Sequence, residues 1–426
     1  MGKQKLYLRT LKAREYSELF DGYSNKNHLC VESYDDAIIL PLKNIDGKDC
    51  GGVVTAVGKY VSLSSLPDRI EGGYSVDSVS ENSDKVVFCG YFNPTWGHFI
   101  LDSIARLWYF VENESAEIDK YVFITNIGKT QSIGGNFKEL LELLGVADKV
   151  EIINEPTKYK QVIVPEISFD LETHYSAQFR SIYDKIIDTA ISDDLSLDNE
   201  YFPQKIFLTR SKFKKSRQYE IGMNKIDEFF EKNGYEIISP ETLTLKKLIW
   251  YLQRCDEVAT YTGSVCHNVL FAKYQQKVTV VERYANNNRF QPGIDKMMDL
   301  DISYIDANYT IYSVCAGLGP FLYDYTPQLY AFAEDNGYEV PRRGILKHQL
   351  RKYVKRYRRF YRYQWYMSEW LVGCTPLMRE SYNDAMLEYG VWLRGDKMLF
   401  ASDYINIWQI LRKTKNWVVK IKRTLK

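Results

Sequence analysis

His98 and Asp102 stand four residues apart in the run NPTWGHFILDSIAR, which begins at Asn93 and ends at Arg106. At helical spacing the two side chains share one face, and Arg106 continues it. Imidazole is the side chain whose ordinary pKa suits proton transfer near neutrality, and a carboxylate one turn away can orient it and stabilise its protonated form. The same pair also serves to finish a helix start with no chemistry, and spacing alone does not separate the two readings.

A second group gathers in the other half of the chain. Arg210 closes the run KIFLTR, Gly263-Ser264 follow EVATYT, and Glu282-Arg283 follow KVTVV. In open α/β sheets, ligands bind beyond the carboxyl ends of the strands, so these groups are expected along one sheet edge. Their chemistry suits a nucleoside diphosphate. Gly263 permits a tight turn and close approach of a phosphate. A helix expected to open at Ser264 would offer free N–H groups and its positive dipole end. Arg210 can grip phosphate oxygens in a bidentate pair, with Arg217 as a second candidate, and Glu282 could accept from ribose hydroxyls. Taken singly, each has a bland reading as a turn, a surface ion pair or a solvated strand end. Convergence on one edge is what favours the site.

The elements that must carry these residues alternate. From residue 85 the pattern predicts strands at 85–91, 120–125, 150–153 and 161–164, with helices at 96–111, 137–144 and 175–191. Residues 53–57 and 59–63 read as short strands around Gly58, and the polar run 192–200 reads as a linker. The second half predicts strands at 205–209, 235–238, 257–261 and 277–281, with helices at 224–233, 245–254 and 264–273 between them. Such alternation implies right-handed crossovers and parallel sheets, hence an α/β chain with two Rossmann-like domains facing a cleft.

With 426 residues, two domains and an extension are expected. Residues 340–426 hold 20 Lys and Arg against 6 Asp and Glu; the chain totals are 56 and 55, which leaves 36 against 49 for the first 339 residues. A basic end on an acidic body points to an anionic partner surface. Between Arg342 and Arg362 lie ten Lys and Arg and no acid, with Leu346, Leu350, Tyr353, Tyr357 and Phe360 at helical spacing. That is the pattern of a helix lying on an anionic membrane; a basic helix packed on the body is the competing reading, and no nucleic-acid module is recognisable. No stretch reaches membrane-spanning length, the start MGKQKL leads into a polar segment, and the seven cysteines form no C-x-x-C pair. The expectation is a cytoplasmic protein, peripheral on the inner face of the plasma membrane.

The two clusters, in this order, resemble glycosyltransferase family 61, which includes plant xylosyltransferases, animal N-acetylglucosaminyltransferases and many bacterial capsule enzymes. The family's N-x-x-H-[WF]-x-x-[DE] helix start is matched loosely from Asn93 and closely from His98 to Asp102. Its strand ending in Ser/Thr-Arg is matched by Thr209-Arg210, with Arg217 and Asn224 downstream. Its Pro-Glu-x-Leu segment is Pro240-Glu241-Thr242-Leu243, and its G-[AS]-x-x-[TSH]-N-x-x-F element runs from Gly263-Ser264 through His267-Asn268 to Phe271. The chain departs from the pattern at Thr262, where many members have His, and at His267, where Thr or Ser is common. The resemblance spans roughly residues 85–310.

What the resemblance implies is a GT-B-like arrangement and inverting transfer from a nucleotide sugar, expected to be UDP-linked. The division is then 1–195 for the acceptor-side α/β domain, 196–310 for the donor-binding domain and 311–426 for a helical, basic C-terminal extension. Catalysis falls to His98 and Asp102; donor binding falls to Arg210, Arg217, Glu241, Gly263, Ser264, His267, Asn268 and Glu282. The acceptor would be a capsular or exopolysaccharide glycan on a polyprenyl carrier, met at the inner membrane surface through 342–365. Asp299-Leu300-Asp301 is a D-x-D string of the kind that binds manganese in other transferases, but it comes after the last Rossmann strand, and metal independence is expected. Competing readings are a polysaccharide pyruvyl transferase and a non-catalytic capsule-assembly binding protein.

Overall fold

The computed structural model describes residues 3–66, 70–192, 201–213, 220–283, 287–309, 321–341, 352, 353 and 356. Two sheets organise them. The first has seven strands, with Ser80–Tyr91, Lys120–Ile124 and Val150–Ile153 parallel in that order and Thr157–Pro165 parallel on the other side of Ser80–Tyr91. Antiparallel strands Val31–Asp35, Ile38–Ile45 and Lys48–Val54 complete it. The second sheet is wholly parallel, in the order Gln4–Tyr7, Asp301–Ile305, Lys277–Val281, Glu257–Tyr261, Lys205–Leu208, Glu236–Ile238. Its inner strands read IFL, VATY and VTVV and are buried on both faces, as helices on either side require.

Strand order places the functional edges. In the second sheet the chain moves from Lys205–Leu208 outward to Glu236–Ile238, then returns to the other side for Glu257–Tyr261. The direction of winding therefore reverses between Lys205–Leu208 and Glu257–Tyr261, and a crevice opens beyond their carboxyl ends. In the first sheet the same reversal flanks the carboxyl end of Ser80–Tyr91, which leads directly into the segment that carries His98.

Several expectations are corrected. The sequence groups residue 1 onward with the first domain, yet Gln4–Tyr7 pairs residue for residue with Ile302–Ile305 and forms the edge of the second sheet. The helix Thr10–Gly22 follows it and packs on Gln291–Met297. Of the short strands expected around Gly58, the first is shortened to the end of Lys48–Val54 and the second to a single antiparallel bridge from Tyr60 to Val54. Lys48–Val54 itself belongs to a hairpin with Ile38–Ile45, turned by Asp46 and Gly47 at positive φ. A helix expected over 96–111 is broken into Trp96–His98, a π turn Phe99–Ser103 and Trp108–Glu112. The described residues 321–341 of the extension include the helix Pro327–Asn336, which packs against the second sheet. Apart from Lys352, Tyr353 and Arg356, the segment 342–365 and its expected membrane face lie outside the described residues.

The two halves are tied by specific bonds. Glu139, on the helix Asn136–Leu144, accepts from the backbone N–H groups of Leu245 and Lys246, both at 2.9 Å. A carboxylate from one half thus caps the helix Leu245–Arg254 of the other, where its charge meets the positive end of the dipole. Arg180 donates to the Leu270 carbonyl at 3.1 Å.

Candidate active site

His98 Nδ1 lies 3.1 Å from Asp102 Oδ2. The Asp102 side chain is 2% exposed and that of His98 is 31% exposed. A carboxylate oxygen accepts, so this contact assigns the ring hydrogen to Nδ1 and makes Nε2 the accepting nitrogen of the neutral ring. The π turn begins immediately after His98, a widened turn of the kind that recurs at functional sites. Arg106, expected on the same face, instead serves the fold: it is buried and donates to the carbonyls of Pro165, Leu63 and Ser65.

The second cluster meets the first directly. Trp96 Nε1 donates to Asn268 Oδ1 at 2.8 Å. Gly97 packs so closely on the motif turn that a Cβ there would sit 2.6 Å from Ser264 Oγ. The His98 ring lies 6.1 Å from that of Phe290. His98, Gly263-Ser264, His267 and Asn268 thus converge across the junction of the two halves.

Gly263 has φ 112, a conformation that favours glycine, as the sequence requires of the turn. The α-helix expected at 264–273 is not formed. A turn leads into a 3₁₀ segment, Cys266–Phe271, in which all six residues are buried. The anchoring groups offered by Gly263 and Ser264 are therefore the N–H groups of a tight turn, without an α-helical dipole behind them.

Arg210 joins this turn through a charged chain. Glu220 Oε1 is 3.7 Å from Arg210 Nε and accepts from Arg283 Nη2 at 2.7 Å, and Arg283 Nη1 donates to the Thr262 carbonyl at 3.0 Å. Arg283 and Glu220 are residues the sequence did not mark as a bridge, because the strand that carries Glu220 is only two residues long. Arg217 lies outside the described residues. Glu241 is exposed on the 3₁₀ turn Pro240–Thr242, after the strand beside that of Arg210. Glu282, expected at the ribose, is fully buried, and its carboxylate is held 2.9 Å from Lys12 Nζ. Its place is a structural ion pair behind the site, because the amino-terminal helix covers that strand end.

His267 is buried rather than open to a ligand. Its Nδ1 is 2.9 Å from Gln291 Oε1, and Gln291 Nε2 donates to Asp295 Oδ1 at 2.9 Å. Tyr16 and Tyr304 both donate to Asp295 Oδ2, at 2.8 and 2.6 Å. Burial lowers His267 to about 4 and raises the Asp295 carboxyl to about 7 despite its three donors. The two groups give stability opposite pH dependences. Below the ordinary histidine value of 6.5 the unfolded chain takes up a proton that folded His267 refuses, so this contribution rises from pH 4 to 6.5. Between pH 3.8 and about 7 folded Asp295 keeps a proton that the unfolded chain has lost, so its contribution falls with pH. Each amounts to roughly 3 to 4 kcal/mol, and together they nearly cancel. Asp295→Asn should therefore show stability rising between pH 4 and 6.5, and His267→Gln should show it falling, in urea melts across that range. Parallel profiles for the two variants would refute the assignment.

The family model for glycosyltransferase 61 matches residues 96–281. Over that stretch the chain is similar to glycosyltransferase 61. Its matched stretch starts at Trp96, which bridges to Asn268, and ends at Val281, the last residue of the strand before Glu282 and Arg283. The matched stretch thus contains both members of the His98–Asp102 pair and the Gly263–Asn268 turn, while the amino-terminal strand, Lys12 and the basic extension lie outside it. No curated protein matches the chain.

Proposed function

We propose that the protein is an inverting glycosyltransferase of the GT-B arrangement. The donor is a nucleotide sugar, UDP-linked by expectation, and the acceptor is a cell-surface capsular or exopolysaccharide glycan on a polyprenyl carrier at the cytoplasmic face of the membrane. The observation that carries this reading is the seating of His98, oriented by Asp102, against the Gly263–Ser264 turn of the opposite half. His98 Nε2 takes the acceptor hydroxyl proton as the acceptor oxygen bonds to C1 of the sugar, and the bond from C1 to the diphosphate oxygen breaks on the opposite side. Arg210 and the N–H groups of the turn stabilise the charge that develops on the departing diphosphate.

Metal independence belongs to the same proposal. Asp301 opens the strand Asp301–Ile305, so the D-x-D string stands at the amino edge of the sheet, opposite the edge that carries Gly263. Incubation with a panel of nucleotide sugars in EDTA should release free sugar from one donor, and the matching nucleoside diphosphate should raise the thermal midpoint. Activity abolished by EDTA and restored by manganese would remove the metal-independent step. Stabilisation by phosphoenolpyruvate but by no nucleotide would favour the pyruvyl transferase instead, and binding of glycan alone would favour a non-catalytic assembly role.

A further inference from the structure

A cleft of about 460 Å³ opens at the carboxyl end of Lys205–Leu208, within the size range of small-ligand pockets. One wall is the family domain: Ser211, Lys212, Glu220 and Asn224. The other wall is Lys352 and Arg356, from the basic extension. These two cations are one helical turn apart and so share a face. Between them Tyr353 is fully buried in the protein core. The aromatic position expected to enter lipid is thus spent on the body, and the basic face beside it looks into the cleft.

The floor is built to receive oxygen-rich groups. The ten-residue helix Met223–Lys232 starts there, with Gly222 in the left-handed region at its N-cap, where glycine has no side chain to cap the first N–H groups. Glu220 is 7% exposed, and its Oε2 is buried with no hydrogen-bond partner among the described residues. The charge of Glu220 is already engaged by Arg283 and Arg210. Asp227, the other carboxyl on the lining, is pushed above its ordinary value by burial. Three cations, Lys212, Lys352 and Arg356, stand beside them on the lining. Through Glu220 and Arg283 the cleft connects to Thr262 and the Gly263 turn.

We infer that Lys352 and Arg356 hold the diphosphate of the donor in this cleft, so that the basic extension completes a binding site that the glycosyltransferase domain leaves open. The inference rests on the nucleotide-sugar reading above and goes beyond it by assigning a positioning role to residues outside the matched domain. Arg210 and the turn act on the charge that develops as the diphosphate leaves. Lys352 and Arg356 instead hold the diphosphate equally in bound donor and transition state, so their loss should appear in KM and not in kcat.

The full-length Lys352→Ala/Arg356→Ala variant and a milder Lys352→Gln/Arg356→Gln variant are compared with the wild type by calorimetry. Inorganic pyrophosphate, a nucleoside diphosphate, the parent nucleoside and a short prenyl diphosphate serve as probes. Expected is a roughly 30- to 100-fold weaker binding of pyrophosphate and nucleoside diphosphate, with nucleoside affinity within about threefold, as two charge-assisted contacts are removed. The donor KM should rise by a similar factor at near-normal kcat. Unchanged pyrophosphate affinity in both variants, or no pyrophosphate binding by the wild type, overturns the inference while donor hydrolysis by the wild type upholds the transferase. Loss confined to the prenyl diphosphate overturns the donor assignment, because the anion would then be the lipid-linked acceptor. Pyrophosphate binding lost in the variants, with no nucleotide sugar turned over by the wild type, keeps the anion site and removes the proposed function.

Discussion

Replacing His98 with alanine should lower kcat by about 10²- to 10⁴-fold, the range by which a positioned base accelerates proton transfer, with donor affinity and thermal midpoint near those of the wild type. The expectation follows from the division of labour around the ring. Asp102 is buried and holds Nδ1, so the carboxylate faces the imidazole and not the acceptor. His98 keeps a third of its surface exposed, at the junction where Gly97 meets Ser264. Truncating the ring removes the base and leaves in place the bond that joins Trp96 to Asn268 across the halves. Asp102→Asn should also depress kcat, by less, because an amide can still orient the ring but stabilises its protonated form poorly. Steady-state kinetics on folded variants decide the matter. Near-normal turnover by His98→Ala would transfer the role of base elsewhere, and a larger loss in Asp102→Asn than in His98→Ala would reverse the assignment.

The second large effect is on stability. Lys12→Ala should destabilise the protein by about 3 to 5 kcal/mol, the usual consequence of removing one partner from a buried charged group. Lys12 Nζ lies 2.9 Å from Glu282 and 3.5 Å from Asp306, while Arg9 reaches Asp306 at 2.6 Å. All four side chains are buried. Burial alone would raise Asp306, but Arg9 and Lys12 outweigh it and hold that carboxyl below its ordinary range; Glu282 is raised by burial, which Lys12 opposes without overcoming. Without Lys12, Glu282 would be left as a buried carboxylate with no counter-ion. Urea unfolding at pH 7 measures the loss, and the double replacement Lys12→Met/Glu282→Leu should recover most of it. A single-variant loss below about 1 kcal/mol would mean that water reaches Glu282 once the lysine is gone.

Much of the second half was legible because its strands and helices advertise their burial. Strand positions near 205, 257 and 277 lie in runs of buried apolar residues, and the helix Leu245–Arg254 alternates buried and exposed positions at helical period. From those strands the rule of carboxyl ends led to Arg210 and Gly263 with no further information. Other features left weaker marks. Gln4–Tyr7 is an edge strand with no fully buried residue, so its QKLY sequence carries no apolar run. The Asp46-Gly47 hairpin turn was readable from the residue pair, which suits positive φ, but was overlooked. The 3₁₀ segment Cys266–Phe271 is buried all round and offers no polar face from which to tell one helical period from another. Glu282 was misread because the residue that claims it stands 270 positions earlier, on a helix that local pattern assigned to the other half.

The edge strand at Gln4–Tyr7 also sets the order in which this molecule can be completed. Gln4 pairs with Ile302 and Tyr7 with Ile305, so during synthesis this strand must wait for almost three hundred residues before its neighbour exists. Pairings of such separation are slow to form. The carboxyl half made alone, from residue 196 onward, would lack both that strand and the lysine that neutralises Glu282. Dissection into two independent pieces therefore separates partners that belong to one sheet.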